Sequence, residues 1–487
     1  MDRWPPEGII YLMDGKFILG LGYPHGKAVG LALKAADDAR TLGVTDAEIA
    51  AALAAVLDTP GDYADDPVYK PVAQYLIERN DPAAQYSLDT YAPYRIWGRE
   101  QIEPGALAQI ERAVRLPVAV RGALMPDAHQ GYGLPIGGVL ATDNAVIPYA
   151  VGVDIACRMR MTVFDVSPYV LDQKRDRFRK ALETCTRFGA GEVWDPPQEH
   201  PVMDDPAWRE HPVARQFRDI ARRQLGTSGS GNHFVEFGVL DVRESIPLAG
   251  QVIAPGKYLA LLSHSGSRRF GFEMANHYTQ IAMNRWKSLP KDFLHLAWLD
   301  RNSSAGAEYW AAMTLAGQYA SANHAVIHAQ IVDALRMETL GSIENHHNFA
   351  WEETIDGQQV IVHRKGATPA GAGVLGVIPG SMTAPGFVVR GKGVPDSLNS
   401  AAHGAGRRMS RHEAFRRFDW NGVQRKLKAE GVELLSAGLD ESPGAYKDIR
   451  QVMAYQSDLV DILAEFQPRL VKMDGSSRKS KSFFPEE

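Results

Sequence analysis

From about Tyr94 onward the chain repeats one texture: short apolar or alternating runs break into glycine-dense loops that carry His, Asp, Asn and Ser. Segments 125–160, 226–238, 263–271, 341–353, 363–386 and 401–411 all have this character. Glycine permits tight turns and close backbone approach, and polar loops of this kind carry binding and catalytic groups when a rigid scaffold holds them. The run Lys257-Tyr258-Leu259-Ala260-Leu261-Leu262 reads as a strand feeding such a loop. Residues 306–337 read as a helix with Ala311, Leu315, Tyr319 and Ala322 on one face. The texture predicts many short strands bordered by helices and an elaborate active site on their ends.

The first ninety or so residues differ. Ile9-Ile10-Tyr11-Leu12 and Phe17-Ile18-Leu19 flank Asp14-Gly15, a pair suited to a hairpin turn. A helix is expected over Val29 to Leu42. A second is expected from Thr45, where Glu48 completes a capping box, to about Leu57, and a third ends near Asn80. We divide the chain into a small N-terminal α/β extension, 1–93, and a catalytic domain, 94–487.

The formal charge of −5 argues against a protein that coats nucleic acid through a uniformly basic surface. Any basic surface must be local, and the candidates are Arg268-Arg269, the cluster Arg407, Arg408 and Arg411, and the tail residues Arg478, Lys479 and Lys481. Two cysteines, Cys157 and Cys185, do not make a disulfide framework and suit a reducing cytoplasm. The N-terminus lacks a signal-peptide pattern, and no apolar run is long enough to suggest a membrane span.

Chemistry-bearing residues gather in the loops. Asp154 and Cys157, three apart in Gly152-Val153-Asp154-Ile155-Ala156-Cys157, can face one point; thiolate suits a borderline-soft cation and carboxylate a harder one. His233, His264 and His347 each sit at a strand end or loop among small or amide residues. Together the five supply ligands for two neighbouring divalent ions. In Ala402-His403-Gly404-Ala405-Gly406-Arg407 a histidine lies against glycines and an arginine, a phosphate-compatible setting in which it serves as ligand, general acid, nucleophile or turn residue. His324 and His328, four apart on the long helix, have chelating spacing but no third ligand, and we assign them a structural role.

These segments resemble the RtcB-type RNA-splicing ligases, and they occur in family order. They are Met125-Pro126-Asp127-Ala128-His129-Gln130-Gly131-Tyr132-Gly133, Gly152-Val153-Asp154-Ile155 with Cys157, Gly231-Asn232-His233-Phe234 with Glu236, and His264-Ser265-Gly266-Ser267-Arg268. His347-Asn348, Val362-His363-Arg364-Lys365-Gly366, Gly380-Ser381-Met382 and His403-Gly404-Ala405-Gly406-Arg407 follow, with weaker matches at Ala445-Tyr446-Lys447-Asp448 and Val471-Lys472. The resemblance spans about three quarters of the chain.

It implies an α+β fold: a single catalytic domain with a β-sandwich-like core bordered by helices. It implies two manganese ions, one on Asp154, Cys157 and His233, the other on Cys157, His264 and His347, with Cys157 bridging. His403 would accept GMP from GTP, and Asn232, Phe234, Glu236, Ser381, Gly404, Ala405, Gly406, Tyr446 and Lys472 would form the guanylate pocket. Asp127, Arg268, Arg364, Lys365 and Arg407 are candidate substrate or phosphate contacts. The implied activity joins RNA 3′-phosphate or 2′,3′-cyclic phosphate ends to 5′-hydroxyl ends, with an archease-type activator as a partner. The chain departs from the family pattern at Ala156, Arg158 and Arg269, where glycine is usual, and in Thr383-Ala384-Pro385-Gly386-Phe387, which lacks the family's second serine and tyrosine. Two rival readings use the same residues: a dinuclear metal phosphoesterase or cyclic phosphodiesterase, and a catalytically weakened RNA-end-binding protein.

Overall fold

The computed structural model describes residues 13–79, 86–248 and 250–475, in two compact units. The first unit holds the chain up to Tyr86 together with Arg285–Leu289. Its helices are α1 (Gly15–Gly20), α2 (Lys27–Thr41), α3 (Asp46–Asp58) and α4 (Lys70–Arg79). The capping box forms as the sequence predicts: Glu48 N–H donates to Thr45 Oγ1 and Thr45 N–H to Glu48 Oε2. The hairpin does not form. Asp14 instead caps α1, its carboxylate accepting the N–H groups of Lys16 and Phe17 at 2.9 Å, because a side-chain acceptor before an apolar run starts a helix as readily as a turn. The flanking strand expected over residues 9–12 lies outside the described residues. Alanine-rich faces of α2 and α3, with Ile18, Leu53, Val72 and Leu76, close a core of their own.

The second unit is built on two sheets. Its strands in chain order are β1 (Tyr94–Ile96), β2 (Ala119–His129), β3 (Ile136–Thr142), β4 (Arg158–Phe164), β5 (Phe234–Val242), β6 (Gly256–Ser265) and β7 (Thr339–His346). They continue as β8 (Asn348–Ile355), β9 (Gln358–Lys365), β10 (Leu375–Ile378), β11 (Gly386–Gly391), β12 (Glu433–Ser436) and β13 (Val460–Met473). One sheet runs β1-β2-β3-β9-β8; the other runs β7-β4-β6-β5-β13-β11-β10, with β12 added to β13. The second sheet nearly closes on itself. The Asn345 side-chain amide on β7 accepts from Val377 N–H at 2.8 Å and donates to Val377 O on β10, bridging the two ends. Met159, Met161, Leu240, Leu262, Ile343 and Leu463 fill the inner face of this curved sheet. Between the two sheets Ala123, Met125, Val139 and Val362 meet Ile378, Phe387, Val389 and Val460 in one apolar cluster. This is the sandwich-like core, and helices border it.

The helices that matter here are α5 (Arg175–Cys185), α6 (Ser304–Leu335), α7 (Arg411–Arg417) and α8 (Trp420–Glu430). Helices α5 and α6 cover the outer face of the curved sheet, packing Phe178, Leu182, Ile327 and Ile331 on Val235, Phe237, Leu259 and Leu261. The buried side of α6 is wider than the stripe the sequence suggests: Ala311 is exposed, whereas Met313, Ala316, Ala320 and Asn323 are buried beside Leu315 and Tyr319. Among the described residues no helix is long and apolar enough to cross a membrane.

Candidate functional site

The site forms where β4, β5, β6 and β7 of the curved sheet reach one end. Backbone bonds of Cys157 N–H to Asp154 O (3.1 Å) and Ala156 N–H to Asn348 O (2.6 Å) fix the turn before β4. His347 N–H donates to Cys157 O, which ties the β7–β8 corner to the same turn. Ala156 takes a positive φ of 57°, the region where glycine costs nothing and a Cβ is strained. Gly266 leaves no room for a side chain: a Cβ there would stand 2.2 Å from Asp154 Oδ1.

This geometry brings the five expected ligands together. Cys157 Sγ lies 3.4 Å from His233 Nε2 and 3.1 Å from His264 Nε2. His264 Nε2 is 3.2 Å from His347 Nε2, and Asp154 Oδ2 is 3.1 Å from His233 Nε2. All five are buried. His233 Nδ1–H donates to Ser228 O and His264 Nδ1–H to Asn232 O, so in both rings the Nε2 lone pair is aimed inward. Burial holds the His264 and His347 rings well below the usual histidine range, which keeps them neutral. Lone pairs converging in a buried space repel one another unless a proton or a cation lies between them. Donors about 2.0–2.3 Å from a shared ion stand about 3–3.8 Å apart, which is the spacing seen. The residues fit a metal. Cys157, His233 and His264 form the tightest group, with ligand atoms within 4.8 Å of one another.

Beside this cluster an open cavity of about 920 Å3, counted to its mouth, is lined by Asn232, Phe234, Glu236, Ser381, His403, Gly404, Ala405, Gly406, Arg407 and Tyr446. His403 meets the metal cluster through His347, with ring centroids 4.9 Å apart. Asp127, fully buried, holds His403: its Oδ2 accepts from Nδ1–H at 2.7 Å and from the His403 and Gly404 backbone N–H groups. Lys447 Nζ donates to the carbonyls of Pro126 and Ala128 on either side, placing a positive charge beside that carboxylate. Gly406 is required here, since with φ of 71° its Cβ would come 2.0 Å from Asp127 O. Burial raises the Glu236 carboxyl well above the usual range.

Some expected residues lie elsewhere. Lys472 does not line the cavity. Val471 and Met473 do, and the strand's alternation turns Lys472 to the opposite face, where Nζ caps the carbonyls of Leu182 and Glu183 at the end of α5. Arg268 is buried beneath the turn before β4, with Nε donating to Thr227 Oγ1 and Nη1 3.3 Å from His233 Nδ1, and it does not line the cavity. Arg364 is buried against Glu353, Ser400 and Leu398 O and stacks on Trp351. Lys365 Nζ donates to Tyr132 O. Glu441, which sequence reading did not single out, also lines the cavity, as do His129 of the Met125–Gly133 segment and Arg411 of the basic cluster. Glu441 gathers Arg407, Arg411 and the Tyr446 hydroxyl. Residues thirty apart in the chain make that network, and no local pattern announces it. The tail cations Arg478, Lys479 and Lys481 lie outside the described residues.

His324 and His328 are part of the core. Ser263 Oγ lies 2.7 Å from His324 Nδ1 and 2.7 Å from His328 Nε2, His328 Nδ1 meets Thr162 Oγ1, and His324 Nε2 meets Ser265 O. Burial lowers His324 to about 3, and His328 is lowered for the same reason. The unfolded chain therefore binds protons that the folded one refuses. The contribution of His324 is complete above the ordinary histidine value and is lost as pH falls from about 6.5 towards 3, by ~1.4 kcal/mol per pH unit, and His328 adds a loss in the same direction. Replacing both with alanine is expected to leave metal content unchanged, destabilise the fold by ~3–5 kcal/mol and flatten this acid limb in denaturant titrations. A fall in bound metal would place them in the metal site.

Residues 109–474 match the family model described as tRNA-splicing ligase RtcB. The RNA-splicing ligase RtcB of Escherichia coli (strain K12) is 33% identical over 409 residues, covering 76% of this chain and 95% of its own length. The tRNA-splicing ligase RtcB of Nanoarchaeum equitans (strain Kin4-M) is 30% identical over 453 residues, covering 77% and 94%. That of Thermococcus kodakarensis is 28% identical over 457 residues, covering 77% and 93%.

Proposed function

The chain belongs to the RtcB family, and from that premise we propose that it is an RNA ligase joining 3′-phosphate or 2′,3′-cyclic phosphate ends to 5′-hydroxyl ends with GTP and two manganese ions. The observation that carries the reading is the pairing of His403 with buried Asp127 at the wall of the cavity. Asp127 accepts a hydrogen bond from Nδ1–H, which holds the proton on Nδ1 and leaves the Nε2 lone pair free to attack phosphorus; the nucleophile needs no base because Nε2 has no proton to lose. Nε2 attacks the α-phosphorus of GTP and the bond to the β-phosphate breaks, releasing pyrophosphate. An oxygen of the RNA 3′-phosphate then attacks the same phosphorus, the P–N bond breaks, and His403 is restored. Finally the 5′-hydroxyl attacks the activated 3′-phosphate and GMP leaves. A cyclic phosphate end is first opened by water.

Asp154, Cys157 and His233 would hold one ion and Cys157, His264 and His347 the other. When bound they would supply charge stabilisation for phosphate oxygens. The Ala405 and Gly406 backbone N–H groups and the charge of Arg407, all at the cavity wall, lie where they can add to it. Asn232, Phe234, Glu236, Ser381 and Tyr446 would hold the guanylate, without Lys472. A thiolate ligand needs a reducing compartment, which suits the free thiols Cys157 and Cys185 and a cytoplasmic setting. We assign catalysis to 94–487, leave 1–93 as an extension, and include an archease-type activator among the partners.

Incubated with GTP and manganese, the protein is expected to join a 3′-phosphate RNA to a 5′-hydroxyl RNA, and to stop when either GTP or manganese is omitted. Release of inorganic phosphate without joining or nucleotide use would instead support a metal phosphoesterase. RNA binding with neither reaction would support an RNA-end-binding protein.

A further inference from the structure

We infer that the outward faces of α7 and α8 form the surface on which a single-stranded RNA end lies as it enters the cavity; this rests on the ligase reading above. The chain carries a formal −5, yet Arg408, Arg416, Arg417, Arg425, Lys426 and Lys428 are all exposed within one short stretch, against Glu413, Asp419 and Glu430. Some exposed cations elsewhere are paired, such as Arg95 with Asp396, Arg450 with Glu465 and Lys392 with Asp461. Arg416, Arg425, Lys426 and Lys428 have no ion pair among the described residues. A group of unneutralised cations on an acidic protein calls for an external anion.

The position of the two helices says which one. Val423 and Leu427, on the inner side of α8, pack against Met382, Val471 and Met473. Those three also line the cavity, so the cationic face of α8 is the outside of the cavity's own wall. Arg411 begins α7 and lines the cavity as well, paired with Asp440 and Glu441. Arg411 thus joins the cavity to the helices that carry the exposed cations, with Glu413 and Asp419 interspersed among them. Trp420, at the first turn of α8, is 41% exposed. An exposed indole among spaced cations is the combination that holds single strands, with bases stacking on the ring and phosphates meeting the charges. An acidic protein surface would use the charges but not the ring.

The test reads binding alone, by fluorescence anisotropy of a fluorescein-labelled single-stranded RNA ending in a 3′-phosphate, over a salt series and without nucleotide. The combined variant Arg416→Ala, Arg425→Ala, Lys426→Ala, Lys428→Ala is expected to bind ~10-fold more weakly or worse. Its slope of log affinity against log salt should fall by ~2–3, near 0.7 for each phosphate that is no longer neutralised. Trp420→Ala should weaken binding several-fold with the slope unchanged, because stacking releases no counterions. Affinity and slope equal to those of the parent protein in the fourfold variant would overturn the proposal and turn the surface over to an acidic protein partner. Binding through this surface by a chain that never takes up guanylate would sustain the surface and overturn the ligase reading.

Discussion

His403→Ala is expected to abolish joining of ordinary 3′-phosphate ends, by at least ~10^4-fold, which is the scale on which losing a nucleophile removes turnover. The ring is not one of the five metal-directed side chains, so metal content should match that of the parent protein. Thermal stability should fall modestly, by ~1–3 kcal/mol, because buried Asp127 loses one hydrogen-bond donor. The variant should still join RNA whose 3′-phosphate already carries guanylate, because the attack by His403 precedes that stage. Asp127→Asn keeps the shape of the acceptor while offering its amide N–H towards a ring nitrogen that already carries a proton. An amide N–H facing the ring favours the tautomer protonated on Nε2, whereas an amide oxygen in that place keeps the tautomer and loses only the charge, so the rate should fall between the parent's and that of His403→Ala. Joining of ordinary ends at the normal rate by His403→Ala would remove the nucleophile from the mechanism.

Cys157→Ala should have an effect as large, for a different reason. Sγ stands within 3.4 Å of two imidazole nitrogens that belong to opposite sides of the cluster. A thiolate shared by two ions holds both, so its loss should leave a protein with neither. His233→Ala and His347→Ala each remove a donor from one side, and should chiefly lower one of the two. Elemental analysis after dialysis against excess manganese and gel filtration distinguishes these cases. Two manganese ions per chain in the Cys157→Ala protein would end the bridging role.

The metal-directed residues were legible in the sequence because each lies at a strand end beside glycine, serine or asparagine, a context with little use in an apolar core. His403 was legible for the same reason, but Asp127 as its holder was not distinguished from a phosphate contact. The bond between them joins positions 276 apart in the chain. Arg268 and Arg364 were read as reaching substrate, whereas both are buried to 1% exposure and spend their donors on the protein. A sequence shows that an arginine sits in a loop, not which of its neighbours will accept. Lys472, expected in the guanylate pocket, lies on the other face of its strand through strand phase. The register of β13 against β5 shifts between Pro468 and Leu470, and an irregularity of that kind decides which alternate residues face the cavity. At Asp14-Gly15 the turn chemistry was right and its use was not, since the same carboxylate caps a helix.

The central claim is that His403 carries guanylate, and labelling tests it directly. The protein is incubated with α-labelled GTP and manganese, denatured and resolved on a gel. A phosphorus–nitrogen bond to imidazole survives mild alkali and breaks in acid, unlike an acyl phosphate. The account predicts a labelled band that persists in alkali, is lost in acid, maps to the peptide containing His403 and is absent from His403→Ala. No covalent label with GTP and manganese, or a label that remains in His403→Ala, would contradict it.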